Sequence, residues 1–297
     1  MTKKTQTKLF LDSGNPQETK KVVELLGYLD GQTTNPSLVA QHPELKEKLE
    51  QGKYLSEDEL FGEYNKIIQE IKTIIPEGSI SIEVYADLNT SSQEMIEQAI
   101  EFNQWIDNAH IKLPTTKEGL IAAKELVQQG ININMTLCFS QEQAAAVYST
   151  TDMNSKSSIF VSPFIGRLDD IGLQGLDLIA NIKKMYDSSD HHVELLAASV
   201  RNLKQFLYCI YLEVDIITAP LKVYDEWSKL GQPTPGIELD LEQFNDMGLY
   251  LETRHLKQIP YEEILLNQDL ADYKLEHELT TKGIEKFAQD WNALLGK

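Results

Sequence analysis

The chain has 297 residues, 41% of them hydrophobic and 25% charged, the composition of a soluble globular protein. That length suits two small domains or one large α/β barrel. The formal net charge of -19 at pH 7 would repel a phosphate polymer over most of the surface, so nucleic acid is not the expected partner.

The remaining bulk features point the same way. No apolar run approaches the roughly 20 residues of a membrane span, and "MTKKTQTKLF" has no apolar stretch behind its lysines to make a secretory signal. Cys138 and Cys209 are the only cysteines and form no CxxC pair, which argues against a disulfide framework or zinc site and for a reducing cytoplasm. Only three of the 27 basic side chains are arginine: Arg167, Arg201 and Arg254. The planar guanidinium fork suits a phosphate better than an ammonium does, so their positions matter.

Eight short β-branched or apolar segments follow one another along the chain. They are "KLFLD" (8–12), "YLDGQTT" (28–34), "SISIEVYA" (79–86), "HIKLP" (110–114), "NINMTLC" (132–138), "SIFVSPF" (158–164), "ELLAAS" (194–199) and "VDIITAP" (214–220). Helix-length amphipathic stretches separate them. "SSQEMIEQAIEFNQWIDN" begins at Ser92 with Glu94 in its first turn, and "TTKEGLIAAKELVQQG" ends on Gly130 as a C-cap. Alternation of strand and helix predicts a parallel sheet under helical cover, and eight units at this length predict one (β/α)₈ barrel domain over residues 1–297. A doubly wound open sheet is the competing architecture, but no GxGxxG follows the first strand.

Two segments exceed the basic plan. Residues 51–75 predict an extra amphipathic helix with Leu60, Tyr64, Ile67, Ile68, Ile71 and Ile75 on one face. Residues 237–297 predict an extension of acidic helices packed on the barrel, the last beginning after Thr280 or Thr281.

In such a barrel the chemistry belongs at the C-terminal ends of the strands. Here those ends are polar in almost every unit: Asp12, Asn35, Glu83, Lys112, Asn134 with Thr136, Ser162 then Arg167, and Ser199 then Arg201. Alternation along "HIKLP" sends Lys112 to the face opposite Ile111 and Leu113, into the barrel if the two apolar residues meet helices. A buried amine is costly when charged, and in its neutral form it attacks carbonyls and forms Schiff bases. The plainer alternative is a lysine in solvent on an edge strand. Asp12 also fits as N-cap of a helix near Pro16, and Glu83 as partner of a structural lysine. Asn35 reads as a turn residue before Pro36, and Asn134 and Thr136 as a mutually hydrogen-bonded pair. Arg167 in "GRLDD" is placed to pair with Asp169 or Asp170. His191 and His192 read as solvated loop residues, and Ser140 as a helix N-cap. Two arginines flanking late strand ends suit one phosphate, and loops there commonly bind phosphate in this fold.

Taken in order, "TTNPSL" (33–38), "IKLP" (111–114), "GININMTLCFSQEQA" (130–144), "SPFIGR" (162–167), "ASVRN" (198–202), "TAPL" (218–221) and the terminal "ELTTKGIEKFAQDW" resemble the signature segments of the transaldolase family. The resemblance covers nearly the whole chain. It implies a class I aldolase-type barrel enzyme without metal or organic cofactor. Such an enzyme moves a dihydroxyacetone unit from fructose 6-phosphate or sedoheptulose 7-phosphate to erythrose 4-phosphate or glyceraldehyde 3-phosphate, in the pentose phosphate pathway. By similarity Lys112 is the Schiff-base lysine, Asp12 the acid/base at the C4 hydroxyl, and Glu83 a proton shuttle through a water held with Thr136. Asn35 and Asn134 bind the donor hydroxyls beside Ser162, and Arg167, Ser199 and Arg201 hold the phosphate. Related fructose 6-phosphate aldolases, which release free dihydroxyacetone, carry tyrosine where this chain has Phe164 and glutamine where it has Glu83. That difference favours transfer over release, with release as the alternative and a catalytically silent binding barrel as the third reading. The expected partners are sugar phosphates, with no nucleic acid and no membrane, and any assembly is expected to be a homodimer.

Overall fold

Eight parallel strands form a closed barrel in the computed structural model, in the order of the chain. They are β1 (Lys8–Asp12), β2 (Gly31–Thr33), β3 (Ser79–Glu83), β4 (Ala109–Pro114), β5 (Ile133–Cys138), β6 (Ile159–Pro163), β7 (Val193–Ala197) and β8 (Ile216–Ala219). The structure describes residues 5–151, 156–187, 189–234 and 255–297. All eight predicted segments hold a strand, and β8 closes the ring on β1 through pairs such as Phe10 with Thr218. Among the described residues no helix is long and apolar enough to cross a membrane.

The barrel helices lie where the amphipathic patterns predict. Helix α1 (Pro16–Leu26) follows β1, and two short helices, α2 (Pro36–Ala40) and α3 (Pro43–Glu50), follow β2. The extra helix of the second crossover is α4 (Glu57–Ile74), opened by a capping box between Ser56 and Glu59. Leu60, Tyr64, Ile67, Ile68, Ile71 and Ile75 are all buried, as their spacing requires. At about 1.5–3 kcal/mol per fully buried side chain, that face fixes α4 on the barrel against the entropy of a long crossover. Next come α5 (Ser92–Asn103), α6 (Lys117–Gln128), α7 (Gln141–Thr150), α8 (Ile165–Asp170), α9 (Gly175–Tyr186), α10 (Leu203–Tyr211) and α11 (Leu221–Lys229). The cap of α5 is Ser91, one residue before the predicted start, with Glu94 completing a capping box. Gly130, with φ of +80°, lies just past α6 as expected, and Ser140 caps α7.

The lower interior is solid. Phe160 stacks on the His110 ring at 4.1 Å between centroids and meets Phe10 edge-on at 6.0 Å. Gly31 makes room for this layer, because a Cβ there would lie 2.5 Å from the Phe10 ring. Burial pulls the His110 pKa down to about 3, so the imidazole is neutral, with Nδ1 bonded to Ser79 Oγ.

The C-terminal region departs from expectation. Residues 237–254, including Arg254, lie outside the described residues. Residues 255–277 are not helical apart from a 3₁₀ turn at Leu270–Asp272. Side chains of the barrel helices take up their backbone groups instead. The Gln141 amide bonds both N–H and C=O of Glu262, Gln143 Nε2 donates to Leu275 O, and Asn181 Nδ2 donates to Ile259 O. Pro260 has no N–H to give a helix. A full helix, α12 (Glu278–Leu295), follows, capped by His277 and beginning three to four residues before the predicted start. It packs across the strand ends: the Thr280 hydroxyl donates to Leu137 O, and Phe287 faces the barrel mouth.

Candidate active site

Lys112 lies near the C-terminal end of β4, between Ile111 and Leu113, which are fully buried on the opposite face. Only 3% of it is exposed, inside the ring of strands. Its Nζ donates to Glu83 Oε2 at 2.8 Å and to the Thr34 carbonyl at 3.0 Å. Register explains the meeting: Glu83 pairs with Lys112 across β3 and β4, and Lys112 pairs with Asn134 across β4 and β5. Parallel partners at one level face the same side, so the three side chains share a layer. The solvated-lysine alternative fails. The reading of Glu83 as partner of this lysine holds geometrically alongside the catalytic one.

Tyr64 of α4 locks this corner from below. Its hydroxyl accepts from the Glu83 N–H at 3.0 Å and sits 2.6 Å from Thr34 Oγ1, which itself donates to Ser81 O. The Thr34 proton being spent there, Tyr64 must be the donor of the pair. One phenol thus fixes both residues that hold the lysine amine.

A cavity of about 170 Å³ opens above Lys112, lined by Asp12, Asn35, Ser162, Phe164, Arg167 and Ser199 together with Thr33, Ser37, Leu38, Ala198, Thr218 and Phe287. Asp12 does not cap α1; that cap is Asn15, whose side chain accepts from Gln17 N. The Asp12 carboxylate instead accepts from Thr33 Oγ1 at 2.8 Å, and Thr33 takes a proton in turn from Thr218 Oγ1 at 2.7 Å. Burial raises the pKa of Asp12 above the ordinary aspartate value, against the pull of the Lys112 charge and the Thr33 bond. Burial raises that of Glu83 too, again opposed by Lys112.

Asn134 and Thr136 do not bond each other. Asn134 Oδ1 accepts from Ser162 Oγ at 2.6 Å, and its Nδ2 donates to Ser81 Oγ at 3.0 Å. The Thr136 hydroxyl is buried without a partner among the described residues. A void of about 10 Å³, on the scale of one water molecule, lies against Glu83, Pro114 and Phe287. Asn35 is a helix cap as well as a cavity residue: its Oδ1 accepts from Leu38 N at 2.9 Å, which leaves the Nδ2 donor for the cavity.

The arginines differ. Among the described residues Arg167 has no carboxylate partner. Its guanidinium stands 5.4 Å from the Phe164 ring centre and 5.3 Å from that of Phe287. It does not pair with Asp169, which accepts from Gly175 N and Gln205 Nε2, nor with Asp170. Asp170 binds Arg201 instead, through both nitrogens of the fork, in an exposed pair, and neither residue lines the cavity. Gly166 allows that approach, since a Cβ there would lie 2.5 Å from Arg201 Nε. Ser199 adopts a left-handed φ of +57°, and Leu137, at a register shift in β5, does the same. Non-glycine residues held there store strain, which concentrates at functional sites.

His192 is not solvated: its ring meets Asp190 at 2.5 Å, Thr151 Oγ1 at 3.1 Å and the Tyr148 ring at 4.1 Å between centroids. His191 is exposed, as expected. Conversely, Tyr64, Thr33 and Phe287 join the site without having been singled out for it. Phe287 had no signal beyond its place in the terminal segment.

The site joins a closed parallel barrel, a buried lysine beside a carboxylate, a second buried carboxyl and an arginine that has no carboxylate partner among the described residues, all at the C-terminal ends of the strands, where barrel enzymes carry their active sites. Residues 9–297 match the family described as Transaldolase/Fructose-6-phosphate aldolase, and the chain belongs to that family. It is similar to a "Probable transaldolase" of Leptospira biflexa, 36% identical over 217 residues, 73% of this chain and 88% of that protein. Proteins of the same description from Brucella ovis and Dehalococcoides mccartyi are 38% and 35% identical, covering 72% and 73% of this chain and 85% and 88% of theirs.

Proposed function

We propose that the protein is a transaldolase that transfers a dihydroxyacetone unit through a Schiff base on Lys112. The observation that carries this reading is the Lys112 amine, buried at a strand end and 2.8 Å from a carboxylate, beneath a cavity that also holds Asp12 and Arg167. The donor is fructose 6-phosphate or sedoheptulose 7-phosphate. The acceptor is an aldose phosphate such as erythrose 4-phosphate or glyceraldehyde 3-phosphate. On this reading the enzyme belongs to the pentose phosphate pathway and the cytoplasm, as one barrel domain that needs no cofactor and that can pair as a homodimer.

In this scheme the neutral amine adds to the ketose carbonyl, and water leaves as the imine forms. Glu83 carries the protons of that exchange through a water shared with the Thr136 hydroxyl, which is otherwise unpaired. The Asp12 carboxylate takes the proton of the C4 hydroxyl. The C3–C4 electron pair then passes to the protonated imine, and an aldose phosphate departs. Asn35, Asn134 and Ser162 bind the hydroxyls of the retained unit, while Arg167 and Ser199 bind the phosphate, joined by Arg201 once its fork exchanges Asp170 for the phosphate oxygens. The enamine must wait unprotonated for its acceptor, which requires a wall poor in acids. Phe164 contributes a ring and no proton at the cavity surface.

The test is a comparison of transfer with release. With fructose 6-phosphate and erythrose 4-phosphate, glyceraldehyde 3-phosphate should form rapidly; with fructose 6-phosphate alone, free dihydroxyacetone should appear at a small fraction of that rate. Comparable rates would instead establish the aldolase alternative. No turnover of either kind would leave the silent barrel.

A further inference from the structure

The terminal helix contributes to the anion end of the cavity in a way that the roles assigned above do not include. Gly283 of α12 faces the end of β5, where a Cβ would lie 2.6 Å from a Leu137 methyl and 2.8 Å from Arg167 Nη1. One turn on, Phe287 places its ring 5.3 Å from the Arg167 guanidinium and 5.9 Å from Lys112 Nζ. Phe164 covers the guanidinium from its own side at 5.4 Å. The arginine tip is thus held against two rings, with a missing side chain leaving room for one nitrogen.

We propose that Gly283 and Phe287 are positioning residues that seat the Arg167 guanidinium and so set the preference for phosphorylated sugars. The inference rests on the reading that Arg167 receives the phosphate. Aromatic faces hold a guanidinium in place without using any of its five N–H donors, so the whole fork stays available to an anion. A carboxylate in that role would neutralise the charge, as Asp170 does for Arg201. Any side chain at 283 must displace either a methyl of Leu137, which is packed in the core, or the free end of the half-buried arginine. The arginine is the softer of the two. The seat is itself fixed at the start of α12, where Thr280 Oγ1 receives a bond from Gln143 Nε2 and donates to Leu137 O.

The test uses the full chain and two variants, Gly283→Ala and Phe287→Leu, the second keeping bulk while removing the aromatic face. Calorimetric binding of inorganic phosphate reads the seat without any chemistry. The KM and kcat for fructose 6-phosphate read it in turnover. Each variant is expected to weaken phosphate binding by about tenfold, the scale of one charge-assisted hydrogen bond, and to raise KM by more than it lowers kcat. If either folded variant binds phosphate as tightly as the parent, or loses kcat with KM unmoved, the seat is refuted. If phosphate binding weakens as expected but no chain forms a ketose adduct on Lys112, the seat stands and the transaldolase reading fails.

Discussion

Glu83 and Lys112 meet at 2.8 Å because they are register partners on adjacent parallel strands, both almost wholly withdrawn from water. Most buried ion pairs contribute little net stability. In the proposed reaction this one has a chemical use, because one partner can hold the proton that the other must give up before attacking a carbonyl.

Asp12 tests the base. Its pKa is raised by burial, so the acid limb of kcat/KM is expected above the ordinary aspartate range. Asp12→Asn keeps an oxygen for the Thr33 bond yet cannot take the C4 proton, and turnover should fall by about 10²–10⁴-fold. A carboxyl whose pKa is higher folded than unfolded gives stability that is present at low pH and lost as pH rises through the folded value. The parent should therefore lose more stability over that window than the variant, in which the raised carboxyl of Glu83 remains and that of Asp12 is gone. Melting temperatures across the acid range would measure the difference, and equal pH slopes would contradict it.

Thr136 tests the water relay. Its hydroxyl has no protein partner, so Thr136→Val breaks no bond of the free protein and should leave the melting temperature nearly unchanged. The rate of adduct formation, followed by rapid quench, should drop by about 10²-fold. An unchanged rate would remove Thr136 from the mechanism.

Tyr64 tests the support. Tyr64→Phe leaves the Glu83 N–H buried and unpaired, at a cost of about 1–3 kcal/mol in chemical denaturation. Because Thr34 and Glu83 both bear on the lysine, kcat should fall as well, with KM little altered. Lost stability at full kcat would make Tyr64 purely structural.

Much of this molecule was legible in its sequence. Each predicted strand segment contains a strand, since β-branched runs bounded by turn residues have little other use between amphipathic helices. The inward aim of Lys112 followed from the alternation of Ile111, Lys112 and Leu113. What escaped was set by contacts distant in sequence. Nothing local tells that residues 255–277 give their backbone bonds to Gln141, Gln143 and Asn181 rather than to a helix. Nothing local tells that Asp170 takes Arg201 and leaves Arg167 to two phenylalanines. Tyr64 and Asn35 each carry two roles, and in each only one was visible, the apolar face of a helix and the polar end of a strand.

The central claim is that the amine of residue 112 condenses with a ketose. Borohydride reduction in the presence of fructose 6-phosphate, followed by peptide mass analysis, tests it directly. The account predicts a stable dihydroxyacetone-derived addition on the peptide bearing Lys112, absent in Lys112→Met. An unmodified Lys112, or an adduct on any other lysine with turnover surviving in Lys112→Met, would contradict it.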